Sequence, residues 1–142
     1  MIGADFIDSN VFIYLLDSSA PAKTRIARDL INAALDRDDA CTSFQVIQET
    51  LNVITRKLKP VLTREQAQQF LESSLLPFWR IQPSAELYAR ALDLQQRYRF
   101  SFYDSLIVSA ALEGGCTRLL TEDLQHGQLI EGLRIENPFL GQ

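Results

Sequence analysis

The chain has 142 residues, 46% hydrophobic and 23% charged, a balance that supplies one core and excludes a disordered protein. Eighteen acidic residues against 14 Lys and Arg leave a formal charge of −4, which excludes a protein that holds polyanions through its overall charge. No apolar run reaches the roughly 18 residues of a membrane span, and MIGADFIDSN lacks a basic leader region, so a cytoplasmic protein without membrane attachment is expected.

Ala4 to Asp8 is short and apolar apart from its acids, as in a buried strand whose last residue emerges at the sheet rim. Ser9 or Asn10 then caps a short helical turn over Val11 to Leu16, closed by the turn formers Asp17 to Pro21. From Lys23 to about Asp36, Ile26, Ala27, Leu30, Ala33 and Ala34 recur at helical spacing, giving an amphipathic helix. Ala40 to Thr42 reads as a strand, and Ser43 as the cap of a helix to about Lys57, with Pro60 beyond its end.

Thr63 and Gln66 form a capping-box pattern, opening a helix to about Leu76 before Pro77. Phe78 to Ile81 reads as a strand and Ser84 to about Arg99 as a surface helix. Ser101 caps a helix over Phe102 to Leu112, which Gly114 and Gly115 stop; strands at Arg118 to Thr121 and Leu133 to Ile135 complete the series. Strands alternating with helices predict one domain over 1–142, a three-layer α/β/α sandwich with a central, mainly parallel sheet.

In such a sheet the ligand crevice lies beyond the carboxyl ends of the strands, which puts Asp8 and Asp123 on one rim. Asp104 falls in the first turn of its helix, a place where an acid also simply favours the helix dipole. Glu49 shares a helix stripe with Val46 and Val53, which predicts partial burial and a need for a cation or hydrogen-bond donor. Glu122 puts a second acid beside Asp123; alternation along an extended backbone favours Asp123 as the one that faces the site, without settling it.

The segment Phe6-Ile7-Asp8-Ser9-Asn10-Val11-Phe12 resembles the opening motif of the PIN-domain family, and Gln48-Glu49-Thr50-Leu51-Asn52-Val53 its glutamate-bearing helix. Ser101 to Ile107 with Ala110-Ala111 resembles the third motif, and Leu120-Thr121-Glu122-Asp123-Leu124 the fourth. The small size and Gln125-His126-Gly127-Gln128 are similar to bacterial VapC-type toxins. This resemblance implies an endoribonuclease that acts as a toxin, a homodimer, and a cognate antitoxin as partner. It makes Asp8, Glu49, Asp104 and Asp123 the catalytic acids, with Asp8, Asp104 and Asp123 as metal ligands and Ser9, Asn10 and Thr121 orienting them.

Clustered carboxylates repel one another, and a divalent cation relieves that repulsion. Oxygen ligands without a His or Cys cluster point to Mg²⁺ or Mn²⁺, with one or two ions left open. An acidic pocket needs basic groups nearby to hold an RNA substrate: Lys23, Arg25 and Arg28 on one helix and Arg56, Lys57 and Lys59 near the end of another are the candidates, although the pattern of each favours a solvated surface face. His126, the only histidine, is expected in a surface loop, Trp79 and the phenylalanines in the core, and Cys41 and Cys116 as reduced core residues; Tyr103 is open.

Two other functions compete. A receiver-type phosphoacceptor domain also gathers aspartates at strand ends but needs a late lysine, and no lysine follows Lys59. A non-catalytic PIN-like module that binds RNA or a protein shares the fold without the cutting.

Overall fold

The computed structural model describes residues 4–142; the first three positions of the stretch read for a leader lie outside them. Strand β1 (Asp5–Ile7) leads into helices α1 (Ser9–Tyr14) and α2 (Pro21–Arg37), then β2 (Ala40–Ser43), α3 (Phe44–Arg56) and α4 (Arg64–Phe70). Strand β3 (Trp79–Ile81) follows, then α5 (Ala85–Tyr98), α6 (Phe102–Glu113), β4 (Arg118–Leu120), β5 (Leu129–Ile130) and β6 (Leu133–Glu136). The strands form one sheet in the order β3-β2-β1-β4-β6-β5, parallel except for β5 against β6.

The chain steps from β1 outward to β3 and then returns to place β4 on the other side of β1. Right-handed crossovers put the helices of these two halves on opposite faces, which makes the expected α/β/α sandwich. Helix α1 packs on α2 and α3, while α6 packs on α5 and across β2 and β4. Every residue of α6 from Ser105 to Ala111 is buried, as befits a helix pressed between a sheet and another helix. The reversal of strand order beside β1 sets the carboxyl ends of β1 and β4 side by side, the place at which sheets of this kind form their ligand crevice.

Local signals hold at several ends. Thr63 and Gln66 make both halves of the capping box, and Ser84 and Ser101 accept hydrogen bonds from the amides of Leu87 and Asp104, both at 3.1 Å. Others differ. Asp8, rather than Ser9 or Asn10, caps α1, because its carboxylate takes the Ser9 amide directly. The helix after it starts at Pro21, whose missing N–H costs nothing in a first helical turn.

Helix α4 does not run on to Leu76 as α-helix; it widens to a π-turn over Leu71–Leu75 and tightens to a 3₁₀ turn over Leu76–Phe78 around Pro77. Strand β5, unexpected from its two residues, closes the sheet edge against β6. Trp79 was expected in the core and is instead 38% exposed, because β3 is an edge strand of which only Ile81 turns inward; its indole N–H donates to the Ile81 carbonyl at 3.2 Å. Phe6, Phe12, Phe70, Phe78 and Phe139 are buried as expected.

The two acids of the first strand segment part company. Asp5, at the far end of β1 from the crevice, is spanned by the Arg118 guanidinium at 2.9 and 2.6 Å, and Arg118 also reaches Glu136 at 2.6 Å. Its charge is used within the sheet. Asp8 is at the crevice.

Candidate active site

Asp8 leaves β1 with its amide bonded to the Leu120 carbonyl of β4 at 3.1 Å, so the two strand ends are tied where the site begins. Asp8 is 5% exposed, and its carboxylate accepts two hydrogen bonds, from the Ser9 amide at 2.7 Å and the Thr121 hydroxyl at 2.8 Å. Thr121, just beyond β4, spends its oxygen fully: besides donating to Asp8 it accepts from Asn10 Nδ2 at 3.2 Å and from the Asp123 amide at 3.1 Å. The same Asn10 amide group reaches Asp123 Oδ2 at 3.2 Å. Asp8, Thr121, Asn10 and Asp123 thus form one hydrogen-bonded chain across the crevice.

A second chain enters from α3. Ser9 Oγ donates to Glu49 Oε1 at 3.3 Å, and Gln45 Nε2 donates to Glu49 Oε2 at 3.0 Å and to the Tyr103 carbonyl at 3.2 Å. Glu49 is half-buried, as its stripe with Val46 and Val53 predicts. Gln45 therefore links Glu49 to the first turn of α6, where Asp104 follows Tyr103. Nothing in the sequence pattern singles out Gln45, although its place one helical turn before Glu49 is the spacing at which two side chains meet.

Burial raises the Asp8 carboxyl from 3.8 to about 7; the Thr121 and Ser9 bonds oppose the rise, and the charges of Glu49 and Asp123 add to it. Partial desolvation also raises Asp123, against the bond from Asn10, with Glu122 and Asp104 adding to the rise. These influences link the four acids in series: Asp8 feels Glu49 and Asp123, and Asp123 feels Asp104. Asp104 makes no side-chain hydrogen bond among the described residues.

Glu122 turns away from the crevice. Its carboxylate accepts from the Tyr14 hydroxyl at 2.5 Å and from Lys23 Nζ at 3.1 Å, and Lys23 also donates to the Tyr14 oxygen at 3.0 Å. Lys23, one of the candidate substrate contacts, takes part in this cluster and lies over the Tyr14 ring. Arg25 and Arg28 are exposed on α2, without ion pairs among the described residues. Arg56, Lys57 and Lys59 are exposed, with Arg56 roughly 10 Å further along the α3 axis than Glu49. His126 lies in an exposed loop and its Nδ1 accepts from the Asn137 amide at 3.0 Å; Tyr103 is 66% exposed beside Asp104.

The donors offered here are carboxylate oxygens, with Asn10 Oδ1 and Gln45 Oε1 buried near them and lacking any hydrogen-bond partner. A hard divalent cation suits such oxygens, and positive charge is what the desolvated Asp8 lacks. In this arrangement no three His, Cys, Asp or Glu side chains among the described residues close into a metal cage. The donor chemistry suits such an ion.

The PIN domain family model matches residues 6–129. Among solved structures, the chain is similar to a toxin–antitoxin complex from Klebsiella pneumoniae, with a TM-score of 0.69 and 18% identity over 96% of this chain and 98% of that one. It is also similar to VapBC2 from Rickettsia felis bound to a DNA fragment from its promoter, with a TM-score of 0.67 and 19% identity over 96% of this chain and 98% of that one. A third is VapC20 of Mycobacterium tuberculosis, described as a sarcin–ricin loop cleaving toxin, with a TM-score of 0.56 and 17% identity over 82% of this chain and 87% of that one. No curated protein matches the sequence significantly. At these identities the structural likenesses establish a shared fold, and with the family match over most of its length the chain belongs to the PIN-domain family.

Proposed function

We propose that this chain is a metal-dependent endoribonuclease, the toxin of a VapBC-type toxin–antitoxin pair, acting in the cytoplasm as a homodimer and held in check by its cognate antitoxin. The observation that carries this reading is the hydrogen-bonded chain from Asp8 through Thr121 and Asn10 to Asp123 at the switch point of the sheet, with Glu49 and Asp104 within electrostatic reach. A merely structural role would not bring that many acids to one crevice without basic partners. The toxin–antitoxin and VapBC2 neighbours support the toxin assignment through the fold they share with this chain.

Asp8, Asp104 and Asp123 would hold Mg²⁺ or Mn²⁺. When bound, such an ion supplies charge neutralisation and Lewis acidity at the scissile phosphate. The chain's own contribution is orientation. Thr121 and the Ser9 amide fix both oxygens of Asp8, Asn10 steadies Asp123, and Ser9 and Gln45 aim Glu49, which orients the attacking water. Arg25 and Arg28 supply positive charge for the RNA backbone, a role that Lys23 cannot share while Glu122 holds it.

A second reading, a PIN fold that binds RNA or a protein without cutting, draws on the lack of a closed three-ligand cage among the described residues. Incubating the purified chain with structured RNAs, with Mg²⁺ or Mn²⁺ and then with chelator, separates the two. The nuclease reading expects cation-dependent cleavage that is lost in Asp8→Asn. Binding of RNA without cleavage under every cation condition would replace it with the second reading.

A further inference from the structure

We propose that Cys41 and Cys116 form an oxidative modification site, at which a hydroperoxide converts two buried thiols into an intramolecular disulfide joining strand β2 to the turn after α6. Cys41 lies within β2, in register with Phe6 of β1. Cys116 is carried back over the sheet by the end of α6: its amide bonds to the Ala111 carbonyl at 3.0 Å, and Gly115 takes the left-handed conformation (φ 71°) that the turn requires. Residues 75 positions apart thereby bring their sulfurs to 3.2 Å.

That separation is already thiol contact, and a bond needs the sulfurs to close by about 1 Å, within the reach of side-chain torsions. The pair stands apart from the proposed nuclease chemistry: both cysteines belong to the buried core, and the sulfurs hydrogen-bond to each other. The two thiols are also unequal. The hydrogen bond between the two sulfurs, in which either thiol can donate, lowers the Cys41 thiol, with Arg80 helping, while that bond and burial hold the Cys116 thiol up. In this proposal Cys41 is the attacking sulfur and Cys116 the resolving one.

The chemistry balances with one hydroperoxide. The Cys41 thiolate attacks one peroxide oxygen, the O–O bond breaks, and the departing hydroxide takes a proton to leave as water, giving a sulfenic acid. The Cys116 sulfur then attacks the sulfenic sulfur; the S–S bond forms, the S–O bond breaks, and the leaving hydroxide takes the Cys116 proton as a second water. Two thiols and hydrogen peroxide become one disulfide and two waters. Exposures of 1% for Cys41 and 6% for Cys116 limit access to a small oxidant of this kind. The product ties α6, the helix that starts just before Asp104, to the strand beside β1.

The test is to treat the folded wild-type chain with hydrogen peroxide, quench, unfold in an alkylating reagent, and measure intact mass and peptides. The expected result is loss of about two mass units, protection of both cysteines from alkylation, and a peptide pair linked through Cys41 and Cys116. The oxidised chain unfolds at a higher temperature than the reduced one, and a thiol reductant reverses both changes. Cys41→Ser and Cys116→Ser lose the response. Two alkylatable cysteines after treatment, oxygen added to one sulfur alone, or a disulfide between separate chains would each overturn the proposal, and the wild-type peptide map distinguishes these outcomes even if either variant fails to fold.

Discussion

The Thr121 hydroxyl donates to Asp8 Oδ2 at 2.8 Å across 113 positions of sequence, and it joins the buried carboxylate to Asn10 and Asp123. Asn10 and the Asp123 amide both lean on the same oxygen, so a single side chain sets the spacing between the acids that follow β1 and β4.

Thr121→Val keeps the shape and removes the hydroxyl. It leaves Asp8 one donor short and two donors without an acceptor, so roughly 10- to 100-fold weaker divalent-cation binding and a stability loss of about 1–3 kcal/mol are expected. Calorimetric Mn²⁺ titration and urea unfolding measure the two effects. Thr121→Ser should recover most of both.

Asp8 also gives the metal-free protein a pH dependence. Its carboxyl is raised from 3.8 to about 7 on folding, so the folded state favours the proton and the group's contribution to stability is full below 3.8 and lost as pH rises through 7. Chelator-treated protein should weaken by up to roughly 4 kcal/mol over that range, and Asp8→Asn should flatten the profile and be the more stable protein at pH 8. Urea midpoints across pH check this; a wild type that gains stability from pH 5 to pH 8 would contradict it.

Gln45→Met preserves bulk and deletes the link from Glu49 to the Tyr103 carbonyl. Turnover should fall about 10-fold with little change in KM, because Glu49 loses its aim while the RNA contacts remain. Steady-state cleavage assays separate this from a simple folding defect, which would lower the active fraction without changing the pH profile of the remainder.

Arg25→Glu and Arg28→Glu should weaken RNA binding and flatten its dependence on salt. Lys23→Met should leave that salt slope unchanged, because the Lys23 ammonium already serves Glu122 and Tyr14. Binding isotherms at several salt concentrations distinguish the residues.

Much of the placement of these candidate residues could be read along the chain because it obeys local rules. Asp8 and Asp123 follow apolar strands, Asp104 sits three residues after a serine cap, and Glu49 lies between valines one turn away on either side. Each feature is fixed by periods of two or 3.6 residues. What escaped depends on distant partners. Gln45 looks like any polar residue in a first helical turn until α6 arrives beside it. The Lys23 and Glu122 cluster joins positions 99 apart, and the cysteines meet across 75. Trp79 misled because a large aromatic next to apolar neighbours carries no mark of an edge strand, and edge position is a property of the whole sheet. The π-turn after α4 has the same origin, since helical periodicity does not register one widened turn.

On the proposed function, Asp8, Asp104 and Asp123 serve one divalent cation. Anomalous diffraction from crystals soaked in Mn²⁺ tests it most directly. A Mn²⁺ peak bonded to Asp8 and at least one of the other two, and absent from Asp8→Asn crystals, is the predicted result. Crystals saturated with Mn²⁺ that show no peak at the crevice, or the same peak in Asp8→Asn, would contradict it.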